Sequence, residues 1–316
     1  MAVMTTATVT AAVMTKYKKR AQAFLRKRLY MNKLGTQEQI EKNGGQTLST
    51  FRVNNLSANT SALTEGTAPS EVSISTTTYT ATLLQYGAFV KISDLLEVTG
   101  RSSMMDIASK QLGYNAALSL DALMYNVITA NATVRYANNA NAGNFDASCV
   151  LNAQELRRLM RQFMSQDVNP GDDDLFNMVA HPDCIYDLQI DDKVGGMLDV
   201  MRRAITDGES EGIWKGEMTR LAGFRILQSS QITTTSVNGI NAYQNIALGP
   251  DAVLNVDVET MPFNLFVNPS SNVSISNPLG QVGSVGWKAT YVAQWISETA
   301  QHRGYVLLAA SSEPSV

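Results

Sequence analysis

Between residues 47 and 92 the side chains follow an alternating pattern with a period of two residues. From Val72 to Ile92 the even-numbered residues form one face with a period of two, which is typical of a β-strand about twenty residues long. Phe51 and Val53 lie in a similar extended stretch, and the turn-rich residues 64–70 separate the two. The pattern predicts a long hairpin over residues 47–92. Because this two-stranded ribbon is so polar, it lacks a hydrophobic core of its own. We therefore expect it to lie on a neighbouring subunit.

A helical period replaces this alternation after residue 103. Apolar residues at spacings of three and four predict a helix over residues 104–131, and Ser103 to Asp106 resembles a capping box with Asp in place of Glu. The expected inward stripe consists of Met105, Ala108, Leu112, Ala116, Leu120, Leu123 and Val127. A second helix is predicted over residues 152–166, with Leu156, Leu159, Met160 and Phe163 inward and Arg157, Arg158 and Arg161 outward.

The rest of the chain alternates short strands with short helices, so the predicted fold class is α+β. Strands are expected at residues 175–180, 223–227, 246–248, 265–267, 273–275, 286–297 and 305–309, and short helices near residues 185–188 and 194–205.

The charges are distributed unevenly over the 316 residues. The net charge is -3, yet residues 1–37 carry eight Lys or Arg and no acid, so a basic arm precedes an acidic body. The arm is either a solvated tail or a segment that lies on a neighbouring subunit or on phosphate. Because a recognition helix and an aromatic platform are missing, only non-specific contact with nucleic acid is expected. The cations concerned are Lys16, Lys18, Lys19, Arg20, Arg26, Lys27 and Arg28.

Signatures of catalysis and targeting are scarce. The sequence has no phosphate-binding loop, GxGxxG, GxSxG or HExxH motif, and no apolar run or leader typical of membrane or secreted proteins, so a soluble intracellular product without a cofactor is expected.

His181, Asp183 and Cys184 could form a nucleophile with its base, but the segment is more typical of a strand end leading into a helix that begins at Pro182. Aspartates 172–174 and 191–192 are interpreted as solvated turns instead of a cation site.

Four segments resemble a known family. They are Leu63-Thr-Glu-Gly-Thr-Ala-Pro69, Gln85-Tyr-Gly-Ala-Phe-Val-Lys-Ile-Ser-Asp94, His181-Pro-Asp183 and Asn277-Pro-Leu-Gly-Gln-Val-Gly-Ser-Val-Gly-Trp-Lys288. With the order of elements, they resemble the major capsid proteins of tailed bacteriophages, which share the Hong Kong ninety-seven (HK97-like) capsid fold. The sequences of these segments are most similar to the branch named after the major capsid protein of phage N4.

The resemblance implies a domain plan for this chain. Residues 1–46 would be the N-arm, 47–92 the extended loop (E-loop), 93–171 and 255–316 the peripheral domain with residues 103–131 as its spine helix, and 172–254 the axial domain. The E-loop residues expected to contact a neighbouring subunit are Glu65, Gly66, Pro69, Tyr86 and Gly87. Losing Gly87 or shortening residues 60–75 should then impair particles more than folding.

The resemblance also implies what the protein does and with what. Copies of the chain would form pentamers and hexamers of an icosahedral head around double-stranded DNA, in the virion and, during assembly, in the host cytoplasm. Portal, scaffolding and decoration proteins would be partners, and no membrane or enzymatic activity is expected. The alternatives are an intracellular enzyme using His181, Asp183 and Cys184, a surface-layer protein suggested by the Ser and Thr content, and a nucleic-acid-binding module suggested by the arm.

Overall fold

The fold was analysed in a computed structural model of the chain. It describes residues 34–41, 44–54, 58–63, 71–100, 103–171, 174–193, 220–258, 263–271, 277–296 and 303–314, together with Lys19, Met31, Leu56, Glu65, Gly66 and Gly196. Apart from Gly196, the predicted helix at 194–205 and the predicted strand at 273–275 lie outside the described residues.

The predicted hairpin forms, but its paired part is shorter than the sequence indicated. Strand β2 (Thr47–Val53) pairs antiparallel with β3 (Thr76–Thr82), from Thr47 opposite Thr82 to Val53 opposite Thr76. The prediction of one continuous strand to residue 92 is wrong, because β3 ends at Thr82 and a separate strand, β4 (Leu84–Ser93), joins another sheet.

The inward face changes where the two strands meet. In β3 the odd-numbered Tyr79 and Ala81 point inward, followed by the buried Leu83, whereas in β4 the inward residues include the even-numbered Tyr86 and Ile92. A strand that keeps a period of two cannot do both, so the chain changes register at Leu83. The long run of Thr concealed this break, since Thr suits either face of a polar strand.

A five-stranded sheet receives β4. Its central strand is β13 (Val282–Trp295), which pairs antiparallel with β4 over Val282–Tyr291. Strands β11 (Val253–Val258) and β12 (Asn264–Asn268) also pair antiparallel with β13, and β1 (Thr36–Ile40) pairs parallel with β11. The strand expected at residues 286–297 is therefore confirmed and is the longest member of the sheet.

One face of this sheet is covered by the long helix. After the short helix α1 (Asp94–Thr99), helix α2 runs from Met104 to Asn131, as predicted, and packs on β13 and β4. The capping box does not form, because the Ser103 side chain makes no capping hydrogen bond. Met105, Leu112, Ala116 and Leu120 are buried as expected, whereas Ala108, Leu123 and Val127 are only half-buried and Met124, Tyr125 and Ile128 are buried instead.

The second sheet has seven strands. They are β5 (Thr133–Tyr136), β6 (Phe176–Ala180), β7 (Arg220–Leu221), β8 (Phe224–Gln228), β9 (Thr234–Val237), β10 (Ile240–Leu248) and β14 (Gly304–Ala309). The order is β5-β14-β10-β6-β8-β7, with β9 beside β10. Because β5 and β14 come from outside residues 172–254, the sheet includes strands from both sides of the predicted domain boundaries.

Helices α3 (Ala153–Met164) and α4 (Pro182–Gln189) accompany this sheet, and a 3₁₀ turn at Ala137–Asn139 follows β5. Phe163 of α3 stacks on Phe176 with ring centroids 4.5 Å apart and meets Tyr305 edge-on at 5.0 Å. Most buried apolar side chains of both sheets belong to one continuous hydrophobic core. Among the described residues, no helix has the length and apolar character that crossing a membrane requires.

Candidate inter-subunit surfaces

The base of the hairpin is fixed by a small apolar cluster separate from the main core. Ala81 and Leu83 are buried there against Ile40 of β1 and Val256 of β11. Gln46 supports the junction by donating from its side-chain amide to the Leu83 carbonyl at 3.0 Å. Buried apolar contact therefore attaches the base of the ribbon to the five-stranded sheet.

Beyond this base, local hydrogen bonds connect the two sides of the hairpin among its described residues. The Asn54 backbone N–H donates to the Ser75 carbonyl at 3.0 Å, and its side-chain amide donates to the Ser75 hydroxyl at 3.1 Å. Glu65 and Gly66 form an exposed turn in which Gly66 has φ +79°, a backbone conformation that favours glycine. Pro69, also expected at an interface, lies outside the described residues.

Apolar side chains of the same segment point into solvent. Leu63 is 73% exposed, and Leu56, Val72 and Ile74 are also exposed. A surface of this kind indicates contact with another molecule when it is contiguous.

Tyr86 and Gly87 lie within the sheet, not in the free part of the hairpin. Tyr86 is half-buried and packs against the main core. A Cβ atom at Gly87 would come within 2.5 Å of the Trp287 carbonyl oxygen, so glycine is required for the close pairing of β4 with β13. Substitution of Gly87 should therefore disturb folding, contrary to the expectation from the sequence.

The sheet face opposite α2 carries an unexpected aromatic slot. Gly286 of β13 is paired with Phe89 of β4 on one side and with Phe266 of β12 on the other. Directly paired residues point to the same face, so the two phenyl rings stand on either side of a glycine floor. Phe89 is 66% exposed and Phe266 is 54% exposed.

Cations border this slot. Lys91 lies in the next row of the same face, with its Nζ 6.0 Å from the centre of the Phe89 ring, and Lys288 lies in the row on the other side, opposite Gly87. Neither phenylalanine was among the residues expected at an interface. The signal in the sequence was the aromatic residue at position 89. It is odd-numbered, whereas the even-numbered residues of that run were assigned to one face, so it lies on the opposite face of the strand.

Of the seven basic-arm residues expected at the inner face, only Lys19 is among the described residues, where it is helical and exposed. Lys16, Lys18, Arg20, Arg26, Lys27 and Arg28 lie outside them.

The cluster proposed for the alternative enzyme has the geometry of a helix start. His181 is the N-cap of α4, and its Nδ1 accepts from the Asp183 backbone N–H at 3.3 Å, with Pro182 in the first turn as predicted. Its ring stacks on Tyr243 at 4.4 Å, and the Tyr243 hydroxyl donates to the Asp183 carboxylate. Desolvation by burial lowers the pKa of His181, while the charge of Asp183 acts in the opposite direction.

The thiol of Cys184 is poorly suited to nucleophilic attack. It is fully buried, and its Sγ accepts from the Asn245 side-chain amide at 3.4 Å. Burial raises the pKa of Cys184 to about 12, so the thiolate that reacts is scarce at neutral pH. These three residues therefore stabilise the junction of β6 and α4.

One residue of the acidic turns, Asp191, has structural partners. Asp191 accepts from the Ala153 backbone N–H at 3.0 Å at the start of α3, and from the Lys193 backbone N–H at 3.3 Å. No group of three or more potential metal ligands occurs among the described residues, which do not include Asp172 and Asp173.

The fold and these surfaces define a class of protein: a structural subunit with a spine helix on a sheet, a second sheet and a projecting ribbon. Several solved phage capsids share this fold. The capsid of Ralstonia phage GP4 matches with a TM-score of 0.71 and 11% identity, covering 90% of this chain and 88% of the other. The Cyanophage Pam1 capsid matches with a TM-score of 0.69 and 16% identity, covering 89% of each chain. The capsid of Helicobacter pylori bacteriophage KHP30 matches with a TM-score of 0.62 and 8% identity, covering 87% of each.

A family model described as phage capsid protein matches residues 76–306. The chain belongs to this family of phage capsid proteins, and its fold is the HK97-like capsid fold. It is a major capsid protein: copies of it associate to form the phage head, and its place is in the virion. A comparison with curated protein sequences found no match. The enzyme and surface-layer alternatives receive no support from these matches.

Proposed function

We propose that the chain is an N4-type major capsid protein whose copies form pentamers and hexamers of an icosahedral head around double-stranded DNA. The observation that carries this proposal is the ribbon of β2 and β3, which is attached at its base and exposes apolar residues toward its tip. An isolated two-stranded ribbon is at best marginally stable in water. A second subunit supplies the missing surface, and rings of subunits repeat the contact around each axis.

In this proposal residues 47–82 with the following strand form the E-loop, and Glu65, Gly66 and Pro69 contact a neighbour. Helix α2 is the spine of the peripheral domain, and residues 172–254 supply most of the axial domain. The basic arm of residues 1–37 faces the packaged DNA or the inner surface of the shell, and that contact weakens steeply as salt is raised. Portal, scaffolding and decoration proteins complete the head, which assembles in the host cytoplasm.

The test is to express the full chain and measure particle mass by light scattering, with negative-stain electron microscopy of the same sample. Closed shells are expected, either from the chain alone or after co-expression with the neighbouring phage head genes. The matched control is a variant in which residues 60–71 are deleted, which should fold but not close shells. A wild-type chain that stays at 34.3 kDa under both conditions would overturn the proposal.

A further inference from the structure

We propose that the outward face of helix α3, together with Arg135 of the neighbouring strand β5, binds phosphate groups of the packaged double-stranded DNA. The inference rests on the proposed function and adds a nucleic-acid contact separate from the basic arm of residues 1–37. Unlike most of that arm, this arginine face belongs to the part of the chain that the structure describes.

Helix α3 turns its apolar residues toward the core and its cations toward solvent. Leu156, Leu159 and Phe163 are buried, whereas Arg157 and Arg161 are exposed. The two exposed arginines are four residues apart in the sequence. They therefore lie on successive turns of the same face, with Cβ atoms about 6 Å apart.

Two further arginines flank this pair. Arg158 is half-buried and forms an ion pair with Glu155, and Arg135 donates a hydrogen bond to the side chain of Gln162. Burial lowers the pKa of Arg135, and the positive charges of Arg158 and Arg161 lower it further, whereas Glu155 acts in the opposite direction. The guanidinium groups of both elements are therefore close enough to repel one another.

The arginine face is a positive site on an acidic body. Residues 38–316 carry 17 Lys or Arg, which is 25 minus the eight of the arm, against 28 Asp or Glu. The carboxylate of Glu155 is only 1% exposed and is not presented to an outside partner. The Nε of Arg135 is buried without a hydrogen-bond partner among the described residues. An anion held by these guanidinium groups would offset their mutual repulsion.

The chemistry of the face favours a phosphate backbone over an acidic protein surface. Its exposed side chains between the arginines are the hydrogen-bonding Gln154 and Ser165, and Met164 is the one exposed apolar residue of α3. Interfaces between proteins have an apolar centre depleted of charge, whereas DNA contacts are polar and basic, with Arg, Gln and Ser donating to phosphate oxygens. A guanidinium group also binds phosphate through two parallel hydrogen bonds.

Binding of a short fluorescent DNA duplex to the full-length, unassembled chain tests the site. Each phosphate contact contributes a slope of about 0.9 to the fall of log affinity with log salt concentration. The double variant Arg157→Gln with Arg161→Gln should therefore reduce the slope by about 1.8 and weaken binding at about 0.1 M salt on the order of fiftyfold. The matched control Lys91→Gln with Lys110→Gln removes the same charge from β4 and α2 and should leave the slope unchanged.

A second pair of variants separates the loss of charge from damage to the helix. Gln and Lys have helix propensities close to that of Arg, so the denaturation midpoint should stay at the wild-type value in both cases. Arg157→Lys with Arg161→Lys keeps the charge and should keep the salt slope. All variants are also compared in a chain in which residues 16 and 18–20 of the arm are changed to Gln, so that binding by the arm does not conceal the effect.

Weaker DNA binding by the Arg157→Gln, Arg161→Gln variant, with shells that still form, would support the site. An unchanged salt slope in both backgrounds would overturn it. Loss of shells with unchanged DNA affinity would assign the face to a contact between copies and would also overturn it. In these cases the capsid function stands as long as the wild-type chain forms closed shells, whereas a wild-type chain that never assembles overturns that function whatever its affinity for DNA.

Discussion

Deletion of residues 60–71 is expected to separate assembly from folding. The described residues of this segment are exposed, and the buried contacts of the hairpin begin at its base with Ala81 and Leu83. Removing the segment roughly halves the connection between β2 and β3, and a halved loop lowers the entropy cost of closure by about 0.6 kcal/mol. The free energy of unfolding should therefore change by less than about 1 kcal/mol.

The contrasting variant is Leu83→Ala. Leu83 is buried at the junction of β3 and β4, so truncation leaves a cavity and should cost about 2–5 kcal/mol. Chemical denaturation followed by circular dichroism gives the stability of both variants, and light scattering gives their particle mass. The deletion variant should be folded and unassembled, whereas the Leu83→Ala variant should lose stability first.

Two results would refute this reasoning. A deletion variant that loses more than about 2 kcal/mol would mean that the tip supports the fold of its own subunit. A deletion variant that forms complete shells would mean that the tip is not an inter-subunit contact.

Three further predictions concern individual residues. Asn152→Ala should destabilise the chain by about 1 kcal/mol in denaturant, because the Asn152 side chain accepts from the Glu155 backbone N–H at 3.0 Å as the N-cap of α3, and Asn152→Asp should restore most of it. Burial lowers the pKa of His181, so the unfolded chain binds more protons than the folded chain, and the contribution of His181 to stability falls as the pH drops below the unfolded pKa of about 6.5. The variant His181→Asn keeps a capping side chain, and its melting temperature should depend less on pH between 7.5 and 5. An equal slope in the two proteins would contradict the prediction. Cys184, with its pKa raised to about 12, should react with a thiol reagent at pH 8 only after unfolding, and prompt labelling of folded Cys184 in a Cys149→Ala chain would show that the thiol is accessible.

Elements with a long periodic pattern or with local boundary chemistry can be predicted from the sequence alone. Helix α2 begins and ends where the spacing of its apolar residues predicts, because twenty-eight residues of period near 3.6 leave little ambiguity. The start of α4 was equally clear, since Pro182 and the preceding His181 act within a few residues of each other. Four short motifs in order also sufficed for the resemblance to phage capsid proteins, which the family match confirms.

Features that depend on partners distant in sequence become apparent only in the folded chain. The break at Leu83 arises because β4 pairs with β13, which lies almost two hundred residues away in the sequence. The alternation within residues 72–92 does not indicate that pairing. The role of Gly87 depends on the Trp287 carbonyl, and the aromatic slot exists only because β4 and β12 lie on either side of Gly286. Strand pairing between remote segments brings these residues together, whereas periodicity reports only which face of its own strand a residue occupies.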